Sequence, residues 1–241
     1  MTLPQRMRSL PESSNPREIS GLVIAHGRNG AITGFFHRNK CRKYKKNLLR
    51  RIGTKVIGIV GSPRINGNTE LLTAHTLKAI SEEGLDTELV RLAGMDIRPC
   101  NGCLICKTEE RCSIDDDMFP IFLKMKEADG IILASPVYYG SATALIKALI
   151  ERAGYISRWN GEPLKGKVGG SLVVARRAGQ NFTLAQLNFW FQILGLTVPG
   201  STYWNMAVGR EKGEVLNDQE GMDTAWTFGK NIAFLLKKLK G

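Results

Sequence analysis

The chain has 241 residues, enough for one domain with an appendage or two small domains, and its 43% hydrophobic and 23% charged content suits a protein that buries a core. Its net charge of +12 is unevenly spread: residues 1–53 carry 12 Lys/Arg against 2 Asp/Glu, which leaves 22 against 20 for the remainder. That distribution argues against a nucleic-acid-binding body, because the basic character belongs to the first segment. Apolar runs such as Ile131–Ala134 are too short to cross a bilayer, and no apolar stretch follows the first basic residues as a secretory signal requires. A cytoplasmic, reducing setting is the expectation.

Residues 1–53 combine weak periodicity, scattered Pro and Gly, and a basic run from Arg38 to Arg51. They read as a poorly ordered extension in which Cys41 has no role. Residues 54–241 read as the folded domain. Lys55–Val60 (KVIGIV) is short, apolar and β-branched, the pattern of a buried strand. A turn over Gly61–Gly67 leads into a helix from Asn68 to Glu83, with Leu71, Leu72, His75 and Ala79 on one face and Gly84 as its stop. Thr87–Leu92 reads as the second strand, and a loop over 93–117 holds four cysteines. A helix at Met118–Ala128, a strand at Gly130–Ala134 and a helix from Ser141 to Gly154 follow. The last elements are a strand at Val168–Ala175, a helix at Thr183–Leu194, a strand at Thr197–Ser201 and an amphipathic helix at Asp218–Leu239. Five strands alternating with five helices imply an α/β fold, a parallel sheet covered on both faces. Right-handed crossovers make it a doubly wound three-layer sandwich.

In such sheets ligands bind beyond the carboxyl ends of the strands. The loop after the first strand, Gly61–Thr69, is rich in hydroxyl, amide and glycine and runs into a helix N-terminus, where free N–H groups and the helix dipole favour a phosphate. Ser62, Asn68 and Thr69 offer side-chain donors and Arg64 a charge. Asn68 occupies the position at which a P-loop needs Lys, and the dinucleotide fingerprint Gly-x-Gly-x-x-Gly is missing, which argues against nucleotide triphosphate hydrolysis. Taken alone, the loop fits a phosphate site and an ordinary capped turn equally well.

Two further loops open at the same sheet edge. Ser135–Gly140 (SPVYYG) sets backbone amides beside tyrosine rings, a surface suited to a flat heteroaromatic ring with a polar edge, and Ala175–Asn181 is polar and glycine-containing. With GSPR and GNT within 61–69, four clustered cysteines, SPVYYG at 135–140, KALIER at 147–152, ARRAGQ at 175–180 and YWNMAVGREKGEV at 203–215, the chain resembles the iron–sulfur flavoproteins among the flavodoxin-like FMN reductases. The likeness covers Lys55 to Lys240. It implies a flavodoxin-like sandwich with strand order 2-1-3-4-5, and an FMN phosphate held by Ser62, Arg64, Gly67, Asn68 and Thr69. It also implies an isoalloxazine lined by Pro136, Val137, Tyr138, Tyr139 and Gly140 and by Ala178, Gly179 and Gln180. Trp159 and Trp204 are assigned to core or to a subunit contact rather than to a cofactor.

The cysteines, Cys100, Cys103, Cys106 and Cys112, follow the spacing Cys-x2-Cys-x2-Cys-x5-Cys. Thiolates three residues apart wrap a compact centre, and Gly102 relaxes the backbone between the first two. Four thiolates also satisfy a tetrahedral zinc ion, although successive x2 spacings resemble a ferredoxin's more than a zinc site's. The family resemblance implies a [4Fe–4S] cluster. Asp115, Asp116 and Asp117 are read as caps of the next helix rather than ligands. Because the cysteine loop leaves the second strand beside the first, cluster and FMN are expected near each other, within a chain or across a subunit boundary.

None of His26, His37 and His75 forms a Ser–His–acid pattern, so the chemistry is expected to rest with the cofactors. The expected activity is electron transfer from a one-electron donor such as ferredoxin to FMN and on to a small acceptor, oxygen or peroxide being compatible with the family relation. The alternative is an NAD(P)H-dependent FMN or quinone reductase with a structural metal. Family resemblance further implies a homodimer or homotetramer.

Overall fold

The computed structural model describes residues 53–240. Expectations placed on the basic extension before Gly53, Cys41 included, lie outside the described residues. Five parallel strands form one sheet: β1 (Lys55–Val60), β2 (Asp86–Arg91), β3 (Gly130–Pro136), β4 (Val168–Ala175) and β5 (Met206–Val208), in the order β2-β1-β3-β4-β5. This is the flavodoxin-like arrangement expected from the sequence. Five helices cover it: α1 (Asn68–Glu82), α2 (Met118–Glu127), α3 (Ala144–Trp159), α4 (Gln180–Ile193) and α5 (Gln219–Lys240).

The central strands are apolar at nearly every position because both faces are buried, and alternate residues feed separate cores. Ile57, Ile59, Ile131, Leu133 and Val173 pack with Phe122, Leu149 and Phe191 of α2, α3 and α4. Val56, Ile132, Ala134, Leu172 and Val174 pack with Leu72, Ile80, Phe228 and Ile232 of α1 and α5. On α1 the buried face is Thr69, Leu72, Thr73, Thr76, Leu77 and Ile80, together with Ala79, while Leu71 and His75 lie half-buried at its margin. The expected face is therefore rotated toward the threonines. Two of them satisfy their hydroxyls within the helix, Thr73 donating to the Thr69 carbonyl at 2.7 Å and Thr76 to that of Leu72 at 3.0 Å.

Two elements differ from expectation. The fifth strand is Met206–Val208, not Thr197–Ser201. Thr197 makes only an isolated bridge to Val168 at the start of β4, exchanging its N–H and carbonyl with Lys167 and Gly169. Pro199 supplies no N–H to continue that pairing, and the chain regains the sheet only where Met206 pairs with Val173. Helix α3 continues past Gly154 to Trp159. Gly154 is there for close packing rather than termination: a Cβ would sit 3.0 Å from the indole nitrogen of Trp190, which donates to the Ile150 carbonyl at 2.7 Å.

Among the described residues no helix is long and apolar enough to cross a membrane.

Candidate functional site

The carboxyl ends of β1, β3, β4 and β5 open onto one cavity of about 380 Å³. Ser62, Arg64, Asn68 and Thr69 line it from the loop after β1, and Pro136, Val137 and Tyr138 from the end of β3. Seven of the residues singled out in the sequence therefore meet around a single hollow.

Its phosphate-like end is built by the turn that starts α1. Asn66 takes the left-handed conformation (φ 53°), and the Gly67 N–H donates to the Arg64 carbonyl at 3.2 Å. Gly67 caps α1 without a side chain and does not border the cavity; a Cβ there would press on the Arg64 carbonyl oxygen at 3.0 Å. The N–H groups of residues 68–70 then lack helical acceptors and carry the positive end of the dipole. Ser62 and Thr69 are buried beside them, while Arg64 is exposed and forms no ion pair among the described residues.

Asn68 serves a second purpose. Its amide donates to the Glu211 carbonyl at 2.8 Å, and its oxygen accepts from the N–H groups of Gly213 (2.8 Å) and Val215 (3.4 Å). This side chain ties the first loop to the one after β5, across more than 140 residues of sequence. The acidic Glu70 in the first turn of α1 would oppose an anion. Burial works to raise its pKa, but hydrogen bonds from Arg91 and the Asn66 N–H, with the charges of Arg91 and Lys212, outweigh it and hold the group below the usual carboxylate range. Arg91 accordingly neutralises Glu70 at 2.8 Å.

At the other end Tyr138, Tyr139, Gly140 and Ser141 form a tight turn, with Tyr138 and Ser141 exchanging both backbone hydrogen bonds (2.8 and 3.0 Å). Tyr139 (φ 50°) and Gly140 (φ 75°) occupy its left-handed centre, and Tyr139 projects fully into solvent. Gly179 (φ 92°) packs against this turn so closely that a Cβ would lie 2.8 Å from Val137 Cγ1 and 3.2 Å from Gly140 Cα. Thr143, the cap of α3, donates to the Gly61 carbonyl at 2.7 Å and so locks the first and third loops together.

Of the residues expected around the ring, Tyr139, Gly140, Gly179 and Gln180 shape the loops without bordering the cavity. Ala178 faces an adjoining recess with Val137, Arg176 and Arg177. The cavity wall also includes Val174 and Ala175 at the end of β4, Arg176 just after it, and Gly209, Arg210 and Glu211 after β5, none of which was singled out in the sequence except as part of a motif. Strand pairing could have found them, since Ala175 pairs with Val208 and both loops leave the same end.

The four cysteines surround a separate cavity of about 100 Å³, completed by Gly102, Leu104, Arg152, Tyr155 and Ile156 among others. All four are free thiols; Cys100 and Cys103 are exposed, Cys106 and Cys112 half-buried. The loop earns its curvature from left-handed residues at Gly102 (φ 71°) and Leu104 (φ 60°) and from a 3₁₀ turn at Ile105–Lys107. Asn160 at the end of α3 donates to the Cys106 carbonyl at 2.9 Å, and the Lys107 ammonium lies 5.1 Å from the centre of the half-exposed Trp159 ring. The Ser113 hydroxyl, with the Ile105 N–H, draws the Cys103 thiol pKa down, whereas burial pushes that of Cys106 up.

Among the described residues no group of three or more His, Cys, Asp or Glu side chains closes on a single metal-ion position. Four free thiols lining one cavity are a donor set that a tetrahedral metal ion or an iron–sulfur cluster could use.

The aspartates after Cys112 do not all act as caps. Asp117 accepts from the Asp96 N–H at 2.8 Å, and Asp116 both accepts from the Met118 N–H at the start of α2 (3.2 Å) and pairs with buried Arg152. Asp115 offers its carbonyl to Arg98. Trp159 and Trp204 are half-exposed and belong to no core.

The two cavities share no lining residue. Helix α3 starts beside the first, at Thr143, and reaches the second through Arg152, Tyr155 and Ile156, roughly 12–18 Å further along its axis at 1.5 Å per residue.

Residues 54–211 match the family described as NADPH-dependent FMN reductase. An iron–sulfur flavoprotein of Methanocaldococcus jannaschii is 44% identical over 193 residues, which cover 77% of this chain and 99% of that protein. The chain belongs to this family, as one of its iron–sulfur flavoproteins. The iron–sulfur flavoprotein of Methanosarcina thermophila is 36% identical over 77% of this chain and 97% of its own length. Among solved structures, RosB with a bound riboflavin-phosphate intermediate superposes with a TM-score of 0.64 over 78% of this chain and 80% of its own, at 20% identity. An archaeal flavodoxin does so at 0.52, over 76% and 99%, at 14% identity. These structural likenesses show the shared fold.

Proposed function

We propose that this iron–sulfur flavoprotein binds FMN in the cavity at the strand ends and a [4Fe–4S] cluster at Cys100, Cys103, Cys106 and Cys112. In this reading it carries electrons from a one-electron donor such as a ferredoxin to a small acceptor, with oxygen or peroxide among the candidates. The observation that carries this reading is the convergence of four free thiols on one cavity in a chain of the family described as NADPH-dependent FMN reductase. When bound, a cluster exchanges single electrons and a flavin one or two, so together they supply a one- to two-electron junction.

The N–H groups of residues 68–70 and the Ser62 and Thr69 hydroxyls would bind the FMN phosphate, with Arg64 adding charge. Asn68 holds the loop after β5 against the one after β1 so that the pocket keeps its shape. Pro136, Val137 and Tyr138 with Val174 to Arg176 would cover the ring and exclude water from one side.

In this reading the cysteine site serves the flavin of its own protomer or that of a partner protomer. Exposed Leu104, Tyr155 and Trp159 around the thiols, and Phe182, Phe189 and Ile193 on α4, give such an assembly apolar surface to bury.

Anaerobic purification followed by iron, acid-labile sulfide and flavin analysis tests the proposal. Four irons, four sulfides and one FMN per chain are expected, with rapid reduction by reduced ferredoxin. Zinc without sulfide overturns the cluster assignment, and efficient steady-state reduction by NADPH without ferredoxin would make the chain an FMN or quinone reductase instead.

A further inference from the structure

Among the described residues the largest fully buried side chain is an arginine. Arg152, on α3, is 1% exposed, and its partner Asp116 is fully buried. Enclosing a guanidinium and a carboxylate costs several kcal/mol per ion unless geometry and hydrogen bonding are nearly complete, as they are here. Nη1 donates to Asp116 Oδ2 at 2.6 Å and to the Arg98 carbonyl at 2.9 Å. Nη2 donates to Asp116 Oδ1 at 3.0 Å and to the Ile114 carbonyl at 3.3 Å. Asp116 completes its own shell with the N–H groups of Arg98 and Met118.

Those contacts join the two ends of the cysteine segment, and a purely structural clamp would need nothing more. The guanidinium does something further. Its Nε and Nη2 both donate to Cys112 Sγ, at 3.3 and 3.1 Å, so the fourth thiol of the set receives two charge-assisted hydrogen bonds from a cation shielded from water.

We infer that Arg152 sets the reduction potential of the centre held by the four cysteines, and that Asp116 limits how far it does so. The inference rests on the reading of those thiols as cluster ligands. One electron gained by such a centre adds one negative charge and makes or breaks no bond. N–H donors on a ligand sulfur, and a positive charge beside it, stabilise that added charge and raise the potential. Asp116 opposes this with a charge of the other sign, held on the adjacent edge of the same guanidinium, which shares Nη2 with the edge facing Cys112. Arg152 is thus a positioning residue whose effect acts through Cys112.

The two members of the pair should therefore shift the potential in opposite directions, which no common loss of structure would do. The test is a redox titration of the anaerobically prepared holoprotein, following the cluster and using the flavin of the same sample as internal reference. At full iron content, Arg152→Gln is expected to titrate at a more negative potential than the parent and Asp116→Asn at a more positive one. Arg152→Lys, which keeps the charge but loses the fork, should fall between the parent and Arg152→Gln.

Unchanged potentials in the iron-loaded variants overturn the inference, as do shifts of the same sign. If Arg152→Gln fails to retain iron, the comparison of Arg152→Lys with Asp116→Asn carries the same opposition of signs. If none of the three retains iron in a folded chain, the pair is a scaffold and the inference falls. A parent protein without acid-labile sulfide would instead sink the reading of the thiols as cluster ligands.

Discussion

The two cavities of this protein are built by opposite means. The strand-end pocket is positioned by the sheet: four loops leave the same edge of parallel strands, and backbone turns with a few ties such as Asn68 and Thr143 finish the shape. The cysteine cavity lies outside the sheet and owes its form to one buried ion pair and a curved loop. A site made by topology tolerates the loss of single side chains, whereas a site made by a side-chain network fails at its keystone. Perturbing each in turn, from the largest effect downward, tests that contrast.

Cys106→Ser should remove essentially all cluster iron while leaving flavin at one per chain, as read by iron and FMN assays. Loss of both cofactors together would show that the sites are not independent. Arg152→Met strands a buried carboxylate and should destabilise the cofactor-free chain by about 3–5 kcal/mol in a denaturant titration. Adding Asp116→Leu should recover most of that loss, because the pair's desolvation cost disappears with it.

The pocket should respond more gently. Arg64→Met removes one charged donor, worth about 1.5–3 kcal/mol, and should weaken FMN binding roughly 10- to 150-fold in a fluorescence titration without changing iron content. Gly179→Ala forces an alanine to φ 92° and drives its Cβ to 2.8 Å from Val137, so a loss of about 1–2 kcal/mol in stability is expected.

The smallest effect is at the far end of α1, where hydrogen bonds from Lys230 and Lys237 pull the Glu83 carboxyl from its ordinary 4.5 down to about 2. A carboxylate whose folded pKa is depressed stabilises the protein above its unfolded pKa and loses that contribution as pH falls. The melting temperature should therefore drop between pH 4.5 and 2, and Glu83→Gln should make that slope shallower.

What was legible in the sequence follows the same division. Lys55–Val60 and Gly130–Ala134 announce themselves as buried strands because both their faces need apolar residues; alternation with helices implies the parallel sheet, and the family resemblance its strand order. The short β5 was misplaced because the β-branched Thr197 and Val198 look like the start of a strand, whereas Pro199 and Gly200, which argue against its continuation, were given too little weight.

At the pocket, Ser62, Arg64, Asn68 and Thr69 were readable from their place before a helix, but not the tie from Asn68 to residues 211–215, which no local pattern encodes. The four thiols were visible from spacing alone. Arg152 was not, since in KALIER it looks like one more charge on a solvated helix face, and only the fold of the 93–117 loop over α3 encloses it.

The stacking of Lys107 on Trp159 gives the chain a built-in optical gauge. Lys107 follows Cys106 directly, so the indole's emission depends on whether the turn carrying that thiol is properly wound. With Trp190, Trp204 and Trp226 replaced by Phe, filling or emptying the neighbouring centre can then be followed by the light of Trp159, before any electron has moved.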